Sequence, residues 1–232
     1  MVVDGPQVRS LLLGENGAAT GAAAGTLFVD CSTIGAVATR EIGAELSALG
    51  RDLTLIDAPV TGSAPRALDG TLTFMVGAGE EQFARIHPLL EAMGKVIVHA
   101  GPLGHGQIVK LINNAVAATN AAVLGEALLV GAGAGVDLEA LVTVMRTGSG
   151  GSVMVDLKAA PMLAHDYSVL FKLDHMIKDL RLCLAEADRA GVPFEAAQRT
   201  TEILESASGM GFGEAYFAAL IEALEAGSGT RL

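Results

Sequence analysis

The run Gly101-Pro102-Leu103-Gly104-His105-Gly106-Gln107-Ile108-Val109-Lys110-Leu111-Ile112-Asn113-Asn114 carries the residues best suited to chemistry in this chain. A glycine-punctuated turn leads into a helix, and Lys110 and Asn114 fall at i, i+4 on it. At 100° per residue their side chains are about 40° apart, on one face. The pair sets an amine beside a side-chain amide near a helix N-terminus, where free backbone N–H groups also favour anions. Such a cluster suits a small molecule bearing a carboxylate next to a hydroxyl or carbonyl.

Three further stretches carry possible site residues. Asp30-Cys31-Ser32-Thr33 stands at the carboxyl end of a predicted parallel strand. Ligands of open α/β sheets bind outside such strand ends, so Ser32 and Thr33 are candidates, although an N-cap for the next helix explains them as well. Asp57-Ala58-Pro59-Val60-Thr61-Gly62-Ser63 is another strand end opening into a loop. There Thr61, Gly62 and Ser63 offer hydroxyls and unhindered backbone N–H groups to a carboxylate, or form an ordinary turn. In Phe171-Lys172-Leu173-Asp174-His175-Met176-Ile177-Lys178-Asp179-Leu180, Asp174 and Lys178 are spaced for a solvated i, i+4 ion pair, the plain explanation for that lysine. Gly209-Met210-Gly211-Phe212-Gly213 imitates a phosphate loop but follows a helix instead of a strand. His105 lies in the glycine turn, where solvation accounts for it. The five histidines show no metal-ligand spacing, and no metal site is expected. No G-x-S-x-G elbow occurs.

These residues need a scaffold, and the pattern of the chain supplies one. Strands are predicted over 26–30, 53–56, 71–76 and 95–99, alternating with helices over 36–49 and 80–93. That alternation indicates an α/β domain with a largely parallel sheet. After Gly101 the periods are helical: 106–133, 138–146, 173–190, 194–206 and 214–224. The expected organisation is an α/β domain over 1–100 and an all-helical domain over 101–232 that begins with a long interdomain helix.

Composition narrows the function. The chain has 232 residues, 51% hydrophobic and 18% charged, with mean hydropathy +0.48 and no tryptophan. This apolar, alanine- and glycine-rich profile opposes disorder and favours close helix packing or subunit contact. A net charge of −11 opposes nucleic-acid binding, which needs clustered Lys and Arg. Cys31 and Cys183 form no disulfide framework and read as reduced, buried thiols of a cytoplasmic protein. Ala115–Val136 approaches the length of a membrane span, but Asn120, Glu126 and many small residues favour a buried helix instead. No membrane partner is expected, and Asp4 precedes any signal-like apolar core.

Together and in this order the four stretches resemble the β-hydroxyacid dehydrogenase family, which includes 3-hydroxyisobutyrate dehydrogenase and tartronate semialdehyde reductase. Asp30-Cys31-Ser32-Thr33 is similar to the family's D-x-S-T, and Asp57-Ala58-Pro59-Val60-Thr61-Gly62 to its D-A-P-V-S-G loop. Gly101 to Asn114 resembles its G-x-x-G-x-G-x-x-x-K-x-x-x-N segment, and Lys178-Asp179-Leu180 its late K-D-L.

The resemblance implies an NAD- or NADP-dependent oxidoreductase that interconverts a small β-hydroxyacid and its semialdehyde or oxoacid. Lys110 would be the general acid/base, tuned by burial and the helix end, and Asn114 would orient the substrate. Ser32, Thr61, Gly62 and Ser63 would hold the substrate, with Thr33, Phe171 and Lys178 towards the cofactor. A homodimer or homotetramer is implied. An imine-reductase reading is disfavoured, because those relatives usually lack the lysine.

Thr61 stands for the family's serine, Ser63 for a second glycine, and Gly35 near a frequent proline. No G-x-G-x-x-G follows an opening strand. The expected fold is therefore a partial Rossmann-like, doubly wound sheet lacking its first βαβ pieces, about 60 residues at ~30 per unit, with an apolar sheet edge. A domain like the C-terminal part of 6-phosphogluconate dehydrogenase would follow it. The competing expectation is a non-catalytic remnant that assembles through the small-residue helix 106–133.

Overall fold

β-Branched apolar runs become strands and the alanine-rich periodic stretches become helices. A computed structural model describes all residues, 1–232. Its elements begin with α1 (Gly5–Leu13), α2 (Ala18–Gly21), β1 (Leu27–Asp30), α3 (Ala36–Ala48), β2 (Thr54–Asp57), β3 (Val60–Thr61), α4 (Ser63–Leu68), β4 (Leu72–Gly77), α5 (Glu80–Glu91) and β5 (Gly94–Gly101). Then follow α6 (His105–Gly133), α7 (Leu138–Thr147), α8 (Val153–Ala164), α9 (Leu173–Ala190), α10 (Glu195–Ala207) and α11 (Leu220–Ser228). The chain divides into two compact units, Met1–Ile112 and Asn113–Leu232.

In the first unit the strand order is β1-β2-β4-β3, with β5 also on β4. β1 and β2 are parallel, from Leu27 opposite Thr54 to Asp30 opposite Asp57, and β4 and β5 are parallel too. β4 is antiparallel to both β2 and β3, so the sheet is mixed where the alternation of elements suggested a largely parallel one. The cause lies in the 58–71 stretch, read from sequence as loop. There two-residue β3 and six-residue α4 reverse the chain, whereas a parallel neighbour needs a crossover like α5.

Alternation along β2 feeds two layers. Leu55 joins Ile42 and Leu46 of α3 and Val8 of α1 on one face, while Ile56 joins Phe74, Val76, Ile86 and Leu90 on the other. β1 ends the strand order, and its Leu27, Phe28 and Val29 are half-buried, so the apolar edge expected there is partly covered.

The sheet grips α6 through a carboxylate. Asp57, fully buried at the end of β2, accepts from Gly104 N through Oδ1 (2.6 Å) and from Gln107 N through Oδ2 (2.8 Å). These are helix-start donors that would otherwise lack partners. The approach is possible because two neighbours have no side chain. A Cβ on Gly77 would lie 2.1 Å from Asp57 Oδ1, and one on Gly106 would lie 2.2 Å from Met75 O. Burial raises the Asp57 pKa from 3.8 to about 6; the backbone bonds of Gly104 and Gln107 oppose the rise, and Asp30 adds to it.

In the second unit, Ala115, Ala118, Ala121, Leu124 and Leu128 form the buried side of α6. Gly125 lets Leu220, Ile221 and Leu224 come close, since a Cβ there would sit 2.8 Å from Leu224 Cδ1. α6 is long and apolar enough to cross a membrane by length and composition, and half of its most apolar window is buried. α8 had no counterpart in the sequence reading, because Pro161 and the preceding glycine run mask its period. The helix expected over 214–224 is a 3-10 turn, Phe217–Ala219, followed by α11. Lys158 of α8 is buried with Nζ 3.4 and 3.5 Å from the ring centroids of Tyr216 and Phe217. Burial pushes its amine down to about 6, while the ring faces favour the cation.

Two outcomes follow from this packing. Gly106→Ala forces a methyl into backbone and should cost about 3 kcal/mol in urea unfolding, whereas Gly227→Ala, inside α11 with nothing within 4 Å, should stabilise by roughly 0.5–1 kcal/mol. Because the folded Asp57 pKa lies above its unfolded value, the native state binds the extra proton between about pH 6 and 3.8 and gains stability as pH falls through that window. The unfolding free energy of the protein minus that of Asp57→Asn should therefore rise by about 2.4 kcal/mol from neutral pH to pH 4, at 1.36 kcal/mol per pKa unit.

Candidate active site

The first turn of α6, docked on Asp57, places Gln107 and Lys110 three residues apart and both buried, Lys110 at 8% exposure. Gln107 faces the loop that leaves β1. Its Oε1 accepts from Ile34 N (3.0 Å) and Gly35 N (3.3 Å), and its Nε2 donates to Ser32 O (2.8 Å). The helical turn before Lys110 and the Ser32–Gly35 loop are thus bonded directly.

Ser32 is buried, its backbone N donates to Asp30 Oδ1 (2.9 Å), and its Oγ accepts from Val2 N (2.9 Å). The N-cap explanation for Ser32 and Thr33 does not hold: the cap of α3 is Gly35, at φ +83°, with no side-chain bond. Thr33 is half-buried. Thr61 and Gly62 are half-buried at the end of β3, with Gly62 at φ +133°, and Ser63 turns to solvent at the head of α4.

α6 runs unbroken from Lys110 to Asn114, so the two residues stand one turn apart as their spacing predicted. Asn114 is buried and its Nδ2 donates to Asp179 Oδ2 at 2.7 Å. Lys178 Nζ lies 3.1 Å from Asp179 Oδ1, and that carboxylate is almost fully buried. Lys178 thus pairs with a buried neighbour, and Asp174, the residue spaced for a solvated ion pair with it, accepts from Ser208 Oγ (2.6 Å). Phe171 is half-buried, edge-on to His175 and Phe217 at 5.9 and 6.2 Å between ring centroids.

Asp57, Gln107 and Asp179 carry no site role that the sequence alone assigns. Each lies inside a stretch singled out there, and the available signal was polarity: a side chain of that kind next to buried glycines or apolar residues must find a partner. His165, Glu222 and Glu225 bring possible ligand atoms within 4.8 Å of one another. Their oxygens are already engaged by Tyr167 OH (2.7 Å to Glu222) and by Arg231 Nη1 (2.7 Å) and Leu232 N (2.9 Å) on Glu225, which makes the group a salt-bridged hub.

The fit of a nicotinamide dinucleotide can be tested at the end of β1. Asp30 Oδ2 is buried without a hydrogen-bond partner, and Asp30 and Ser32 are the polar residues of a mostly apolar cavity of about 130 Å³ that Val8, Leu12 and Phe28 also line. An acceptor without a partner at a strand end is a feature that a ligand's N–H donor would satisfy. The cavity is below the ~300 Å³ of whole-ligand sites, and no strand of this chain leads into G-x-G-x-x-G, so the fit concerns the reactive end only.

Comparison with known proteins identifies the family. Residues 104–224 match the family model described as NAD-binding of NADP-dependent 3-hydroxyisobutyrate dehydrogenase, and residues 1–101 match the NAD binding domain of 6-phosphogluconate dehydrogenase. The chain is 39% identical over 209 residues to 3-hydroxyisobutyrate dehydrogenase of Pseudomonas aeruginosa, covering 86% of this chain and 69% of that one. It is 33% identical over 225 residues to 2-hydroxy-3-oxopropionate reductase of Escherichia coli, covering 97% and 76%. The crystal structure of 3-hydroxyisobutyrate dehydrogenase from Salmonella typhimurium superposes with a TM-score of 0.86 at 31% identity, covering 95% of this chain and 76% of the other. Across eight curated relatives the chain spans 63% to 76% of their lengths. Those matches, joined to a Rossmann-like sheet followed by helices, place the chain in the β-hydroxyacid dehydrogenase family of NAD(P)-dependent oxidoreductases.

Proposed function

We propose that this protein interconverts a small β-hydroxyacid and its semialdehyde or oxoacid, with Lys110 as general acid/base. The observation that carries the reading is a buried lysine on a helix whose first turn is bonded to the carboxyl ends of β1 and β2. In reduction Lys110 Nζ gives its proton to the carbonyl oxygen; in oxidation it takes the hydroxyl proton. Asn114, whose amide is turned by Asp179, orients the reacting oxygen. Ser32, Thr61, Gly62 and Ser63 supply hydroxyl and backbone N–H donors for the substrate carboxylate. Thr33, Phe171 and Lys178 are assigned to the cofactor. When bound, NAD or NADP supplies or accepts the hydride.

The relatives named for 3-hydroxyisobutyrate and 2-hydroxy-3-oxopropionate give the first substrates to try. Two free cysteines fit a cytoplasmic setting, and the exposed row Val109, Val116, Val123 and Val130 along α6 fits a homodimer or homotetramer. The net charge of −11 argues against a nucleic-acid partner, and the buried half of α6 against a membrane. A purely structural remnant is not favoured, because that role has no use for a buried lysine and a buried Asn–Asp pair.

Steady-state assays with both oxidised cofactors test this directly. Lys110→Ala should lower kcat by roughly 10²–10⁴-fold with cofactor affinity, read by fluorescence titration, little changed. A variant that keeps its rate removes Lys110 from the chemistry.

A further inference from the structure

We infer that Gln107 is a positioning residue: its side-chain amide is a strut that sets the place of Lys110 relative to the Ser32–Gly35 loop. The inference rests on the reading of Lys110 as general acid/base and adds to it a residue that touches neither substrate nor cofactor.

The argument begins with satisfaction of a buried amide. A glutamine side chain offers one carbonyl and two N–H donors, and burying it without partners is costly. Gln107 is fully buried, and three of its possible bonds go to one short piece of backbone: Ile34 N, Gly35 N and Ser32 O. Its own backbone N is held by Asp57 Oδ2. One residue therefore ties α6 to the ends of two adjacent strands, β1 and β2.

Sequence separation makes the link specific. Residues 72 to 75 positions apart are joined here, so no local turn could substitute for the bond. Lys110 lies three residues further along, within the same helical face as Gln107. A rigid turn carries any shift of Gln107 directly to Lys110. Proton transfer tolerates little misplacement, and an error near 1 Å can cost about 10²-fold. An apolar side chain would have filled the space; the amide is needed because the loop presents two donors and one acceptor.

The charge state of a glutamate substitute provides a test that simple destabilisation would not mimic. Neutral Glu reproduces the amide pattern, since its carbonyl can accept from Ile34 N and Gly35 N while its O–H donates to Ser32 O. Ionised Glu has no donor and faces the Ser32 carbonyl with negative charge. Asp57 also titrates in this range, and Asp30 lies at the end of β1, so each variant is compared with the parent protein at the same pH.

Three variants, Gln107→Leu, Gln107→Glu and Lys110→Ala, are followed by kinetics, by amide hydrogen exchange at Ile34 and Gly35, and by the Lys110 Cε resonance in protein carrying labelled lysine. Gln107→Leu should lower kcat roughly 10–100-fold with KM changed less than about threefold, speed exchange at both amides and shift the Lys110 resonance. Gln107→Glu should match it at about pH 8 and recover towards the parent, in exchange and in relative kcat, as pH is lowered to about 5. If Gln107→Leu does not fold, the Gln107→Glu series decides alone. Parent-like kcat and an unmoved Lys110 resonance in Gln107→Leu, or a Gln107→Glu deficit constant with pH, overturns the strut. Retained activity in Lys110→Ala instead overturns the reading of Lys110, and the two failures are separate results.

Discussion

A buried carboxylate meeting the open end of a helix is the constraint on which the first unit depends. Asp57 leaves water at the end of β2 and recovers part of that cost from two backbone N–H groups at the start of α6. The raised pKa records that the recovery is incomplete. The return is positional. An apolar contact would fix a distance loosely, whereas two directed bonds fix the entry of α6 in register with the sheet. Gly77 and Gly106 are required by the same contact, since a methyl at either would occupy the oxygens' space.

The polar groups that follow along α6 repeat this economy. Gln107 is spent on the β1 loop, and Asn114 on Asp179, which also receives Lys178. Both of these buried amides are matched with acceptors from elements distant in sequence. Such networks specify geometry more than they add stability, because an unpaired member would cost more than a paired one gains. The β-hydroxyacid dehydrogenase chemistry proposed for this chain asks for that kind of order: a lysine whose proton has one destination.

Around these polar joints the fold is held by ordinary apolar layers. β2 sends Leu55 to one helical layer and Ile56 to the other, and small residues on α6 admit α11 at close range. The hub formed by Glu225 with His165, Arg231 and Leu232 N closes the last helix against the segment after α8. Arg231 already bonds carboxylate oxygens of both Glu222 and Glu225 there.

Much of this was legible in the chain itself. Short apolar runs ended by turn residues marked β1, β2, β4 and β5, and the i, i+4 spacing put Lys110 and Asn114 on one helix face, because the helical period is intrinsic to the backbone. The four ordered motifs carried the family. What sequence could not supply were relations between distant backbones. The reversal at β3–α4 that makes the sheet mixed, the helix hidden around Pro161, and the use of Gly35 instead of Ser32 or Thr33 as a cap all depend on packing. Asp57, Gln107 and Asp179 are the clearest case. Side chains of these types are usually solvated, and nothing local distinguishes a surface carboxylate from one buried against a helix start. Only when folding brings residues some 50 to 75 positions apart into contact do these groups acquire partners, and the partners decide what they do.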